Sequence, residues 1–202
     1  MSALDSNSEL TELGRIIARL PIDPIVGKTL ILATAFGVGD TMSTLAAATS
    51  FNTPFVSRDR MSSKLTRQQR SFSGNRFSDH VALICLFNQW KTVVSRGPNV
   101  ERNFIDRFSV NSAVLNMTAD AKRQLIEVLM GSGFAESLFS PVYVSNSEPD
   151  PDLDLIISLL VYGLFSDFFC VTFAIYSLKQ LTHSWVITIG ERLFLNAPGG
   201  FK

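Results

Sequence analysis

The residues from Leu10 to Ala48 contain three helix-like patterns in a row, and the signals between them leave little choice of fold. Between Leu10 and Leu20, apolar residues recur three or four positions apart, which predicts one apolar helix face. Pro21 cannot continue a helix, so the first pattern ends there. Asp23 and Pro24 then predict an N-cap followed by a proline at the first helical position, where a second helix begins.

This second helix has its own buried face and its own end. Gly37 and Gly39 can adopt the left-handed turn that ends a helix, and Asp40 can cap a third helix that runs to Thr49. The positions predicted to be buried in the second helix are Ile25, Val26, Leu30, Ala33 and Phe36. Three helices with tight connections predict a packed and mainly α-helical bundle.

Gly27-Lys28-Thr29 resembles the end of a phosphate-binding P-loop, but the surrounding residues do not fit that motif. A P-loop needs a glycine six residues before the lysine and a strand that leads into a glycine-rich loop. Here Ile22 occupies the glycine position, and the local pattern places Lys28 inside a helix. We therefore expect no nucleotide site at this sequence, and an enzyme that binds ATP here is the least favoured of the functions considered, which ATP binding by the isolated chain would revive.

The eighteen basic and eighteen acidic residues cancel, so any attraction to nucleic acid must come from local clustering of charge. One cluster begins after Ser50, where the helical periodicity disappears and Asp59 is the only acid as far as Asn75. Its basic residues are Arg58, Arg60, Lys64, Arg67, Arg70 and Arg76. Such a segment either contacts the phosphates along a nucleic-acid strand or is a solvated, mobile insertion, and composition does not decide between the two. Phe72 and Phe77 are the aromatic residues beside it that could stack on bases.

Further helices are predicted after this cluster. Ser78 is the predicted N-cap of one helix, whose apolar face includes Phe77 and Trp90, because aromatic side chains at helical spacing more often fill a core than bind bases. Asn111 or Ser112 begins another. The residues expected to share one helical core are Leu30, Ile84, Trp90 and Leu125. The acidic, proline-containing segment from Asn146 to Asp154 predicts a linker and a domain boundary.

Three segments of the chain carry a family resemblance: LTELGRIIARLPIDPIVGK, RFSDHVALICLFNQW and LNMTADAKRQLIEVLMGSGF. Together they resemble the accessory region of DEAH-box RNA helicases, and the details favour the RNA helicase A and maleless branch. LTELGRIIARLPIDPIVGK is similar to the junction between the winged-helix and ratchet domains of that family. RFSDHVALICLFNQW and LNMTADAKRQLIEVLMGSGF resemble two later helices of the ratchet domain, in the same order and at similar spacing. In the second of these, Lys122 and Arg123 fall on positions for which the resemblance implies a packing or RNA-facing role.

The resemblance implies three regions and an accessory function. Residues 1–21 would be the end of a winged-helix domain, 22–150 a ratchet-like helical domain, and 151–202 a truncated or divergent start of the OB-fold region. Such a region guides single-stranded RNA beside the motor domains of an ATP-dependent helicase, in the nucleus or the cytoplasm. With the motor absent, we expect a fragment that binds RNA weakly, has no catalytic, metal or cofactor-binding residues, and lacks ATPase activity. ATP and Mg²⁺ would belong to the parent helicase alone.

The C-terminal part of the chain, from Leu155 onwards, permits a second function of a different class. Leu155 to Leu178 is almost entirely apolar and long enough to span a bilayer, so a truncated or splice-variant product could be anchored to a membrane. Asp167 lies in the middle of this span, and Gly163 and Ser166 divide it into two pieces of ordinary core length. We therefore expect membrane insertion to be the less favoured alternative.

Overall fold

A computed structural model describes residues 3–56, 67–141, 144 and 150–164 of the 202-residue chain, and this part is built from helices. In chain order the α-helices are α1 Glu12–Ile17, α2 Pro24–Ala35, α3 Gly39–Ala48, α4 Arg67–Ser73, α5 Asp79–Val94, α6 Pro98–Phe108, α7 Ser112–Gly131 and α8 Pro151–Leu164. Short 3₁₀ turns at Gly74–Arg76 and Glu136–Phe139 link some of them. The described residues form two isolated β-bridges, but no β-strand. The predicted mainly α-helical fold is confirmed.

The predicted N-caps form where the sequence placed them. The Asp23 carboxylate accepts a hydrogen bond from the backbone N–H of Ile25 at 2.8 Å. The Ser78 hydroxyl accepts from the N–H of Val81, and the side chain of Asn111 likewise caps α7. Each cap satisfies a backbone donor that the first turn of a helix leaves unpaired. The starts of α2, α5 and α7 are therefore fixed by local chemistry.

Helix α3 is the centre of the bundle. Every residue from Gly39 to Ala47 is buried, and α2, α5 and α7 all pack on this helix. Its small side chains let these neighbours approach closely. The four residues predicted to share a core do so, and each is at most 5% exposed: Leu30, Ile84, Trp90 and Leu125.

Helix α8 packs against α2. Its residues Leu153, Ile156 and Leu159 belong to the same hydrophobic core as the earlier helices. A side-chain carbon added at Gly163 would lie 1.8 Å from the Thr29 hydroxyl oxygen, so only glycine allows this approach. The boundary near residue 150 stays a prediction, but the packing joins α8 to the helices before it.

No helix in the described residues is long and apolar enough to cross a membrane. Of the span considered above, Leu155 to Leu178, only the part as far as Leu164 is described, as part of α8. Residues 165–178 lie outside the described residues.

Several local expectations were wrong. Helix α1 covers only Glu12–Ile17, and Leu10 is 47% exposed, because the preceding chain turns back in a β-bridge between Leu4 and Leu10. Ile25 is 53% exposed, since it lies in the first turn of α2 and away from the core. Gly37 has the expected positive φ of 80°, whereas Gly39 is the first residue of α3 and is glycine for lack of space. A side-chain carbon there would lie 2.9 Å from the Thr34 hydroxyl oxygen.

Candidate nucleic-acid interface

The end of the basic segment is a short helix held in place by aromatic packing. Phe72 of α4 is 2% exposed, and its ring centroid lies 4.8 Å from that of Phe108 and 6.3 Å from that of Phe104. Phe55, on the other side of the segment, packs against the same ring at 6.0 Å. Phe72 is therefore an anchor for α4, and its prediction as a base-stacking residue is wrong because the ring is buried.

Arg67 and Arg70 are exposed on α4. They are three residues apart, so their side chains lie on one face of the helix. Neither forms an ion pair with another described residue. The remaining members of the predicted set in this loop, Arg58, Arg60 and Lys64, lie outside the described residues.

Arg76 ends the 3₁₀ turn that follows α4, and Phe77 comes next, but the two side chains have different surroundings. The Arg76 guanidinium donates to the carboxylate of Asp154 on α8, which ties the end of the segment to the bundle. Phe77 has φ 47° and ψ 36°, a left-handed conformation that is unusual for a large side chain. Phe77 is 72% exposed, so its predicted place in the core is wrong. The turn from the 3₁₀ helix into α5 directs this ring towards solvent.

Lys122 lies inside the bundle rather than on an RNA-facing surface. Its side chain is 8% exposed, and its ammonium nitrogen is 2.7 Å from Oδ1 of Asp40 on α3 and 5.5 Å from the Phe87 ring centroid. Burial lowers the pKa of Lys122, while the nearby Asp40 carboxylate opposes this effect. An ammonium held in this way has little surface to offer a phosphate.

The sequence alone does not predict this buried ion pair, because the position of Asp40 is typical of a residue that caps a helix. Val38 occupies the N-cap position, and Asp40 lies in the first turn of α3, pointing its carboxylate at Lys122. The signal that could have revealed it is the neighbourhood, because Asp40 is the only charged residue among small and apolar ones from Gly39 to Ala48. A charged residue in a helix that is buried on all sides needs a partner.

Arg123 is exposed on α7 and lies next to Lys122 in the sequence. Its guanidinium is paired with Asp120 at 2.8 Å, and both side chains are about 70% exposed. A pair this exposed is weak and can be exchanged for another partner. Helix α7 packs on α3, whereas α4 packs on α5, so the predicted basic residues divide between two parts of the bundle.

Lys28 of the P-loop-like sequence lies within α2, as predicted. Gly27 is buried, and a side-chain carbon added there would lie 3.4 Å from Cδ1 of Leu20, so this helix packs closely on the preceding turn. No phosphate-binding loop exists at this sequence.

Comparison with protein families assigns residues 1–83 of the chain to a known domain. Residues 1–22 match the winged-helix part of the helicase-associated domain HA2, and residues 23–83 match its ratchet-like part. The change from one match to the other falls between Pro21 and Pro24, where α1 has ended and Asp23 caps α2.

Individual relatives agree with this assignment. The mouse ATP-dependent DNA/RNA helicase DHX36 is 33% identical over 137 residues, which cover 68% of this chain and 14% of that protein. The Arabidopsis thaliana DExH-box ATP-dependent RNA helicase DExH1 is 30% identical over 165 residues, covering 82% of this chain and 16% of that protein. A human relative, the probable ATP-dependent RNA helicase DHX34, is 32% identical over 131 residues, which cover 65% of this chain and 11% of that protein.

The chain thus spans about one sixth or less of the length of these relatives. Its assignment to the RNA helicase A and maleless branch stays a prediction. The helical fold, the two family matches and the relatives agree on one conclusion: the chain contains the helicase-associated region of a DEAH-box helicase, in which the end of the winged-helix part leads into the ratchet-like helical domain.

Proposed function

We propose that this region binds single-stranded RNA and guides it beside the motor domains of an ATP-dependent RNA helicase. The motor, with its ATP and Mg²⁺, belongs to other parts of such a helicase, and this region contributes a surface for the strand. The observation that carries the proposal is the pair of exposed arginines on α4, Arg67 and Arg70, on a helix that Phe72 anchors in the core. Cations on a fixed helix can neutralise phosphates with little loss of their own freedom.

Phe77 extends this surface from phosphates to bases. Its ring is exposed, and the backbone on either side is held by the Arg76–Asp154 pair and by the Ser78 cap of α5. An exposed aromatic ring beside arginines is the arrangement with which proteins stack on single-stranded bases, at about 1 to 3 kcal/mol per base. The left-handed backbone at Phe77 is unfavourable for a large residue, and such strain is concentrated at functional positions. We infer that Phe77 stacks on a base of the same strand whose phosphates contact Arg67 and Arg70.

Lys122 is left out of this surface because its ammonium is buried against Asp40. Arg76 contributes by fixing the turn, since its guanidinium already pairs with Asp154. The proposal therefore rests on three described residues, Arg67, Arg70 and Phe77, and on the basic residues that precede α4 in the sequence.

Replacing Arg67 and Arg70 together by alanine should weaken binding to fluorescein-labelled oligouridine. Wild-type binding is expected at about 10⁻⁴ to 10⁻⁶ M at physiological salt, the range of contacts dominated by phosphates. Two lost phosphate contacts should lower the slope of log affinity against log salt by about 1.4. Fluorescence anisotropy at a series of salt concentrations measures both quantities.

The matched control is the replacement of Arg19 and Arg102 by alanine, because both are exposed and the loss of charge is the same. This variant should retain most of the affinity and the full salt slope. Equal losses in the two variants would mean that binding depends on net charge alone, and the proposed surface on α4 would be rejected.

A further inference from the structure

The end of α6 lies beside the chain on both sides of residues 57–66. After these residues comes α4, and its Phe72 packs against Phe108 of α6 with 4.8 Å between the ring centroids. Before them, the backbone N–H of Val56 donates a hydrogen bond of 3.0 Å to the carbonyl oxygen of Ser109, the residue after α6. The fold therefore brings the last turn of α6 next to α4, although the two helices are far apart in the sequence.

Arg107 belongs to this last turn of α6, and its guanidinium is held against an aromatic ring. Its Cζ atom lies 5.2 Å from the ring centroid of Phe108, which is a cation–π arrangement. That ring is itself fixed, because its centroid lies 4.8 Å from those of both Phe72 and Phe104. Arg107 is nevertheless exposed, and it forms no ion pair with another described residue. The guanidinium is therefore in place before any ligand binds and still has N–H donors to offer.

The acidic residues of α6 leave Arg107 unpaired. Glu101 accepts a hydrogen bond from the indole Nε1 of Trp90 at 3.0 Å, so its carboxylate is turned towards α5. Asp106 is exposed and lowers the positive charge nearby, but consecutive side chains of a helix point about 100° apart and do not face each other. Helix α4 contains no acidic residue. An anion that approaches the end of α6 from α4 therefore meets an arginine without a competing partner.

We propose that Arg107 binds a phosphate of the same RNA strand that contacts Arg67 and Arg70, so that the RNA surface extends from α4 onto the end of α6. An arginine that is already held over a ring loses little freedom when it binds, and a guanidinium can bind two phosphate oxygens at once. This inference rests on the proposed function. It adds a contact that lies outside the basic cluster of the sequence and joins that cluster only through the fold.

Replacing Arg107 by alanine in the 202-residue chain should weaken binding to fluorescein-labelled oligouridine about threefold to tenfold. It should also lower the slope of log affinity against log salt by about 0.7, the share of one phosphate contact on a single strand. Arg107→Lys should keep most of this slope, because the charge remains. Fluorescence anisotropy at a series of salt concentrations measures both quantities. A lower urea midpoint with an unchanged salt slope in Arg107→Ala would make Arg107 a structural residue only and overturn the proposal.

The matched control is Arg102→Ala, which removes the same charge from an exposed position of the same helix. It should leave the salt slope unchanged, and equal losses in the two variants would overturn the proposal, since binding would then follow net charge. Comparison with the Arg67 and Arg70 double variant separates this inference from the proposed function. A slope lowered in that variant but not in Arg107→Ala would overturn the contact at Arg107 alone. Unchanged slopes in both would reject the RNA surface on α4 and the contact at Arg107 with it.

Discussion

Replacing Asp40 by alanine should destabilise the folded chain by about 3 to 5 kcal/mol, because it leaves the buried Lys122 ammonium without its counter-charge. Lys122→Met should cost a similar amount by leaving the Asp40 carboxylate unpaired among buried neighbours. The double variant should cost clearly less than the sum of the two single variants, since neither charge then remains. Urea unfolding of the four proteins gives this coupling directly. Additive losses would mean that the two side chains do not interact in the folded chain.

The pH dependence of Asp40→Ala has a definite sign. Without Asp40, burial and the repulsion from Lys91 lower the pKa of Lys122 with no carboxylate to oppose them, so its folded-state pKa falls further below the unfolded value. Between these two pKa values the unfolded chain binds more protons than the folded chain, and stability therefore rises with pH. The stability of Asp40→Ala should increase more steeply than that of wild type as the pH rises through the alkaline range towards the unfolded-state pKa of lysine. Urea midpoints compared at neutral and alkaline pH test this, and parallel pH profiles would contradict it.

Leu30→Ala and Leu125→Ala should each destabilise the bundle by about 2 to 5 kcal/mol. Leu30 of α2 is fully buried and Leu125 of α7 is 1% exposed, so each truncation leaves a cavity in one continuous core. The matched control is Ile25→Ala, which removes an aliphatic side chain from α2 at a position that is 53% exposed and should change stability little. Thermal and urea unfolding measure all three. Unchanged melting temperatures for both leucine variants would show that these helices do not share a core.

Where a local chemical signal existed, the sequence was sufficient to predict the structure. Asp23, Ser78 and Asn111 cap the helices that follow them because each offers a side-chain acceptor just before an apolar helical pattern. The resemblance to helicase-associated domains came from motifs along the first two thirds of the chain, and the family matches confirm its first part, residues 1–83.

Where the outcome depended on tertiary packing, the sequence was not sufficient. Asp40 has the chemistry of a cap, and only the approach of α7 to α3 turns it into half of a buried ion pair. Lys122 lies at helical spacing from Leu115 and Leu129, so its own helix allows a packing role, but nothing in that helix reveals Asp40 or Phe87 as its neighbours. Phe72 and Phe77 are similar in sequence context, yet one anchors α4 and the other faces solvent. Phe77 faces solvent because its backbone is left-handed, and the sequence does not signal this turn, since position 77 is not a glycine.

Photocrosslinking tests the central claim, that this helicase-associated region binds single-stranded RNA through α4 and Phe77, most directly. Oligouridine that contains thiouridine would be bound to the 202-residue chain, irradiated, and the crosslinked peptides identified by mass spectrometry. We predict crosslinks in the segment from Arg67 to Ser78, centred on Phe77, and a marked loss of them in Phe77→Ala. Crosslinks confined to other segments, or none at RNA concentrations that saturate binding, would contradict the account.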